Sequence, residues 1–323
     1  MSDRPDTMRA VVIDQYGGFD VLRIADRPIP TIDAGPVLVK VDYAAANPKD
    51  TFIRKGRFKI VTGNTFPLAL GSDFAGTVAQ VGNDVTHVKP GDAVFGMVNG
   101  WHGGAHAEYI RISTAEVALA PQSLTLDHAA AMPLASLTAL QALRNCGNIQ
   151  AGQHVVINGA SGGVGTFAVQ IAKNYGATVT AICSHRNDTL VRELGADAVI
   201  DYIAHDVIQT MDAADIFFDV FGNFALSKVS GKLKQGGVYV TTVPNPRNYF
   251  DAFRTRLFGR HRAHVVVVKS TTVDLNLIAR WVDEGKLRPV IDATYRLDAI
   301  VDVHKHLQTK RTRGKVIIDI SGQ

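Results

Sequence analysis

The chain has 323 residues, 46% of them apolar, with 34 Lys and Arg against 30 Asp and Glu and a formal charge of +4 at pH 7. That length suits two domains with sizeable cores, and so small a positive excess does not point to nucleic acid as a partner. Two cysteines, Cys146 and Cys183, cannot build a disulfide framework or a multi-cysteine zinc site, and they suit a reducing compartment.

The opening MSDRPDTMRA lacks the apolar stretch of a secretory signal, and the residues before Met8 read as a loose polar tail. No run of eighteen or more apolar residues follows, so no membrane span is expected and the protein reads as soluble and cytoplasmic. The first third then reads as short strands at Met8–Asp14, Val37–Ala44, Gly76–Val81 and Asp92–Val98, divided by glycine-rich and Pro-Gly turns. From about Thr125 to Ser270 strands alternate with helices: His154–Asn158, Thr166–Tyr175, Thr178–Cys183, Thr189–Leu194, then strands at Ile216–Val220, Gly237–Thr242 and Val265–Val268. Such alternation predicts a parallel, doubly wound α/β sheet. The tail adds helices at Val273–Glu284 and Ile300–Gln308 and a last strand at Lys315–Ile320. The architecture expected is a β-rich domain, residues 1–125 and 271–323, interrupted by a Rossmann dinucleotide-binding domain over 126–270.

One segment carries explicit chemistry. The strand His154–Asn158 runs into Gly159, Gly162 and Gly165 in GxxGxxG spacing, with Ser161, Gly163 and Val164 between them. A pyrophosphate approaches the backbone closely only where side chains are missing, and the helix that follows aims its N–H groups and positive dipole end at the phosphates. Val164, Phe167, Ala168, Ile171 and Ala172 give that helix an apolar stripe for the sheet, and Gly176 can end it. The second strand ends at Ser184, roughly where NAD enzymes place an acid on the ribose hydroxyls. Here the chain offers Ser184, His185, Arg186 and Asn187 instead. A hydroxyl and a guanidinium suit a 2′-phosphate that a carboxylate would repel, so NADPH is the expected cofactor. Asp188 is the one nearby acid, and it also suits the start of the next helix.

Several separated motifs then fall in a known order: NPKDTFIRKGRF, GSDFAGTVAQVGNDVTHVKPGDAVFG, GGAHAEY, MPLASLTALQAL, LGADAVIDY and RGKVIIDI. With the glycine turn they make the chain resemble the medium-chain dehydrogenase/reductase superfamily, over nearly its whole length after Met8. It is most similar to the zinc-free quinone oxidoreductase-like branch, in particular to reticulon-interacting-protein-like NADPH:quinone reductases. The resemblance implies that the β-rich domain is GroES-like. It also implies that Asn47, Ser72 and Leu134 stand where zinc alcohol dehydrogenases carry their three catalytic ligands. Asn, Ser and Leu do not make a zinc site, and the lobe with four structural cysteines is absent. No metal is expected.

Without a Lewis acid, alcohol oxidation is disfavoured, whereas a quinone or enone already has a low-lying acceptor. The expected function is zinc-independent hydride transfer from NADPH to quinones or related electron-poor carbonyls, in an interdomain cleft. An alkenal, enone or enoyl-thioester double-bond reductase is the alternative, and an NADPH-binding sensor without catalysis is the second. Asn47, and after it Tyr43, are candidate donors to a developing oxyanion. By the resemblance, Thr138 lies beneath the nicotinamide, Tyr202 meets the 2′-phosphoadenosine, and Phe221 and Val243 flank the nicotinamide ribose. His106 stands where relatives hold Tyr or Phe in a loop that can touch substrate. Two further expectations concern surfaces. The basic, aromatic stretch RNYFDAFRTRLFGRHR reads as a cleft wall or lid in preference to a membrane or acidic-partner surface. The valines 265–268 read as an edge strand that pairs two copies into a homodimer.

Overall fold

The computed structural model describes residues 5–101 and 103–322. The expected tail falls mostly outside these residues, and Thr7 already opens the first strand. The chain divides into two compact units. One runs to Leu134 and resumes over Lys269–Gly285 and from Pro289 onward; the other is Ala135–Val268 with Lys286–Arg288.

The first unit is built on β-sheet. Its largest sheet places Ile291–Arg296, Lys315–Asp319, Pro36–Ala46, Asp73–Val81, Ala93–Met97 and Val117–Leu119 side by side, with Tyr109–Ser113 also pairing Pro36–Ala46. The long strand Pro36–Ala46 is apolar through most of its length because partners or core cover it nearly end to end. Lys315–Asp319 returns from the far end of the chain and pairs antiparallel with it, Val316 opposite Ala46. A second sheet joins Leu22–Pro28, Thr7–Ile13 and Leu68–Ala69. Val11, Ile13, Val39, Phe74 and Ile318 meet in one buried cluster. The short helix Leu126–Ala130 and Leu134 belong to this unit, and the Leu134 N–H is bonded to Asp73 Oδ1 at 2.8 Å.

The second unit is a parallel sheet of β1 (His154–Asn158), β2 (Thr178–Cys183), β3 (Ala198–Asp201), β4 (Ala214–Asp219), β5 (Leu233–Thr241) and β6 (Arg262–Val265), in the order β3-β2-β1-β4-β5-β6. This is the doubly wound order whose switch point lies between the first and fourth strands. Helix α1 (Gly163–Asn174) follows β1 and buries Phe167, Ala168, Ile171 and Ala172 completely. Each large side chain of that stripe contributes about 1.5–3 kcal/mol by leaving water. Gly176, at φ +77°, ends the helix in the left-handed region. Helices α2 (Asp188–Glu193) and α3 (Pro246–Leu257) follow β2 and β5. The Gln170 side chain closes the small Lys286–Arg288 piece onto the unit, donating to Arg288 O at 3.0 Å and accepting from Arg288 N at 2.9 Å.

Two surface expectations are corrected. The edge strand is Arg262–Val265, in register with Val238–Thr241, and Val266–Val268 lie beyond it, because β5 ends at Thr241 opposite Val265. The aromatics of α3 do not pack as a wall. Only Asn248 and Thr255 of that helix are buried, while Phe250 and Phe253 face solvent.

Candidate functional site

The β1–α1 turn sits at the switch point. Gly159, at φ +82°, leaves β1 with its N–H and that of Ala160 both donating to Ile182 O of β2. Gly162 caps α1 without any side-chain acceptor. The N–H groups of Gly163, Val164 and Gly165 form the first helical turn, which has no intrahelical acceptors to offer them. A Cβ on Gly165 would lie 2.1 Å from Gly159 O and 2.6 Å from Ala160 Cα, so only glycine lets the helix start this close to the strand. Bare, uncapped N–H groups at a twelve-residue helix start fit a pyrophosphate.

Around this turn the structure gathers the other residues of the second unit singled out above. Asn187, buried, donates through Nδ2 to Ser161 Oγ at 2.9 Å and Ser184 Oγ at 3.4 Å, and its Oδ1 has no partner among the described residues. Ser184 is buried at the end of β2, and Arg186 beside it is exposed with no ion pair among the described residues. Asp188 is the first residue of α2, where its carboxylate pairs with Arg192 Nε at 2.6 Å. Its charge is therefore already answered. Tyr202 follows β3 and is largely exposed, its N–H donating to Cys183 O at 3.4 Å.

On the other side of the switch point, Asp219 at the end of β4 shapes the loop that carries Phe221. It accepts from Gly222 N (2.7 Å), Phe224 N (2.9 Å), Asn158 Nδ2 (2.7 Å) and Tyr239 OH (3.3 Å). Burial pushes its carboxyl above the usual range, while those donors act in the opposite direction. A Cβ on Gly222, at φ +77°, would meet Val243 Cγ2 at 2.1 Å, and one on Gly159 would meet Phe221 Cβ at 3.4 Å. Gly159, Phe221 and Val243 thus converge at the carboxyl end of the sheet, where open α/β sheets bind ligands. Thr138 is buried on the helix Pro133–Gln141.

The first unit holds a different kind of site. Asn47 begins the helix Pro48–Arg54, with its N–H donating to Asp50 Oδ2 at 2.8 Å. Its amide Nδ2 donates to Ala45 O at 3.2 Å and to Asp73 Oδ2 at 3.0 Å, and its Oδ1 accepts from Lys315 Nζ at 2.5 Å. Both amide hydrogens are spent inside the protein, which leaves neither for a substrate oxygen in this arrangement. Lys315 Nζ also pairs with Asp73 Oδ2 at 3.0 Å; the two side chains are 3% and 0% exposed. Beside them Lys49 Nζ donates to Ser72 Oγ at 3.0 Å and Gly100 O at 2.6 Å and lies 5.6 Å from the centre of the Trp101 ring. Burial holds the Lys49 ammonium below its usual range, with Asp50 and Asp73 pulling the other way. Tyr43, half-buried on the strand Pro36–Ala46, is pushed up by burial and by Asp319, Asp127 and Asp42, so its phenol stays protonated.

The three places compared with zinc ligands are thus a hydrogen-bonded amide, a hydroxyl accepting from an ammonium, and a leucine. This donor set does not fit zinc, and a fixed ammonium 2.5 Å from Asn47 Oδ1 opposes a second cation there. Among the described residues no group of three or more His, Cys, Asp or Glu could hold a metal ion. His106 is fully buried, 3.5 Å from Ala45 O and 4.0 Å from Asp50 Oδ2, so the loop does not present it outward.

Sequence reasoning missed Asn187, Asp219, Lys49, Asp73 and Lys315. Asn187 stands in the SHRN stretch already under scrutiny, and Lys49 in NPKD, so both had a local signal. Lys315 stands in the RGKVIIDI motif, but nothing local marked it as buried or named its partners.

The sheet order and the glycine turn define a dinucleotide-binding fold. Residues 33–122 match the family model of the alcohol dehydrogenase GroES-like domain, and residues 194–318 match that of a zinc-binding dehydrogenase. The mitochondrial NAD(P)H oxidoreductase RTN4IP1 of Homo sapiens is 34% identical, over 99% of this chain and 91% of its own. The chloroplastic NADPH-dependent alkenal/one oxidoreductase of Arabidopsis thaliana is 34% identical, over 97% of this chain and 80% of its own. The solved quinone oxidoreductase of Coxiella burnetii superposes with a TM-score of 0.88 at 31% identity, covering 97% of this chain and 99% of that one. The chain belongs to the medium-chain dehydrogenase/reductase superfamily, as a quinone-oxidoreductase-like enzyme that uses a nicotinamide cofactor.

Proposed function

We propose that this enzyme reduces quinones and conjugated carbonyls with NADPH and without zinc. The observation that carries the reading is the buried Asn47–Asp73–Lys315 network: of the three expected ligand places, Asn47 has its amide spent on Asp73 and Lys315, and the other two are Ser72 and Leu134. An acceptor that needs no metal activation suits such a site. Bound NADPH supplies a hydride. The N–H groups of Gly163–Gly165 hold its pyrophosphate, with Ser161 and Asn187 alongside, and Ser184 and Arg186 take the 2′-phosphate. Support for the phosphate comes from the free guanidinium of Arg186 and from Arg192 neutralising Asp188. Thr138, Tyr202, Phe221 and Val243 complete the cofactor's surroundings. Asn47 is a positioning residue that fixes Asp73 and Lys315. Lys49 gives the proton, and the Tyr43 phenol is a second donor.

Relatives named for quinones and for alkenals both support the acceptor class, and the enone reading shares every residue above. The test follows NADPH oxidation against a panel of para-quinones, ortho-quinones, enones and primary alcohols, with chelator present. Turnover with quinones or enones that survives chelation is expected. Ready oxidation of alcohols with no reduction of any quinone or enone overturns the reading.

Among the described residues no helix is long and apolar enough to cross a membrane. The two free cysteines fit a cytoplasmic location, although relatives are named mitochondrial or chloroplastic, and fractionation of the native host decides it. A homodimer through the open edge of β6 is the assembly we propose, checked by light scattering at several concentrations.

A further inference from the structure

We propose that the outward face of α3 docks on an anionic lipid surface, lying in the headgroup layer without spanning the bilayer. The helix is amphipathic in the reverse sense. Two of its uncharged polar residues face the protein: Thr255 Oγ1 accepts from Ala263 N at 3.0 Å, and Asn248 Nδ2 donates to Val243 O at 2.9 Å. Its apolar residues face water. Phe250, Phe253 and Leu257 are 62%, 64% and 56% exposed, and Phe258 just beyond the helix is 74% exposed.

At 3.6 residues per turn, Tyr249, Phe253, Leu257 and Phe250 fall within an arc of about 100°, on the side away from Asn248 and Thr255. Arg247 and Arg254 border that arc on one side and Arg256 on the other, all exposed. Asp251 is the one carboxylate between residues 246 and 262; it is half-buried and lies 3.6 Å from Arg254. An apolar stripe between two arginine borders matches acyl chains below and lipid phosphates beside them. A second copy of the chain is a poor occupant, since facing this surface with itself would bring arginine borders of like charge together. The inference stands apart from the choice of acceptor, because none of the side chains it sets against lipid belongs to the cofactor or Lys315 sites.

The experiment is flotation of the full-length protein with vesicles of phosphatidylcholine alone or mixed with phosphatidylglycerol. Binding to the mixed vesicles is expected, with a loss on neutral vesicles and weakening by added salt. Phe253→Ser and Leu257→Ser should each lower partitioning about tenfold, from the apolar area they remove. Arg254→Gln and Arg256→Gln should each lower it about fivefold, from one headgroup contact each. The side chains are exposed, so thermal unfolding of these variants should match the parent and report that the fold is intact. No binding to anionic vesicles overturns the proposal, as does binding that ignores Phe253→Ser. Equal binding to polyglutamate would assign the surface to an acidic polypeptide. A drop in oligomer mass on Leu257→Ser would make it an interface between copies.

Discussion

Replacing Lys315 with Met tests whether the first unit is organised by its buried ion pair. Methionine keeps the length of the side chain and its apolar stem but removes the ammonium. Asp73, 0% exposed, would keep the Asn47 Nδ2 and Leu134 N–H donors at 3.0 and 2.8 Å and lose its counter-charge. Breaking one partner out of a buried pair typically costs about 3–5 kcal/mol, because the remaining charge stays desolvated. For a domain of this size each kcal/mol moves the midpoint by about 2–4 °C, so a fall of roughly 6–20 °C is expected. Calorimetry of Lys315→Met, Asp73→Leu and the double variant closes a double-mutant cycle. The double variant should be less damaged than the two single losses summed, by at least about 1 kcal/mol. Additive losses, or a Lys315→Met midpoint within about 2 °C of the parent, would refute the reasoning.

Other consequences follow from single residues. Arg186→Ala should weaken NADPH binding by about 1.5–3 kcal/mol and leave NADH binding unchanged, read by calorimetric titration; an equal loss for both removes the 2′-phosphate assignment. Gly165→Ala places a Cβ 2.1 Å from Gly159 O and should abolish cofactor binding, so an unaltered NADPH titration would disprove the close turn. His304 is fully buried, and burial together with the charges of His106 and Arg54 lowers it to about 3. The unfolded chain therefore takes up that proton first as pH falls, so stability is lost between pH 6.5 and about pH 3, by about 2 kcal/mol at pH 5. Denaturant titrations of His304→Leu should show this acid dependence flattened. Lys49→Met should remove the alkaline limb of the kcat–pH profile and lower kcat by about a hundredfold or more; an unchanged profile would exclude Lys49 as proton donor.

The cofactor half of the molecule was legible because glycine and periodicity announce it. β1 and β2 span the residues read from the sequence, since each is an apolar run bounded by turn residues and flanked by a helix. The run of four valines misled, because strand limits depend on the neighbour: β6 ends at Val265, opposite the last residue of β5, Thr241. Asn47 was legible as a site but not in its role. Its partners Asp73 and Lys315 lie 26 and 268 residues away, and no local pattern says that a lysine opening a C-terminal strand will be buried against them. The α3 segment was legible as a basic, aromatic stretch, yet which side faces water was decided by Asn248 and Thr255 bonding inward.

That division between backbone and side chains also bears on the direction of the chemistry. Lys315 is spent on Asn47 and Asp73 and, at 3% exposure, has no freedom to follow a reacting oxygen. Lys49 is the ammonium beside it that is only partly buried, and its lowered range makes it readier to release a proton than an ordinary lysine. An oxygen that gains charge after hydride reaches a quinone or enone needs such an acid. An alcohol needs the opposite, a base or a Lewis acid that takes its proton before hydride can leave. A charged lysine next to that oxygen has no lone pair with which to accept its proton. On the proposed function, the same residues favour reduction of conjugated carbonyls over oxidation of alcohols, through the sign of the proton transfer required of Lys49.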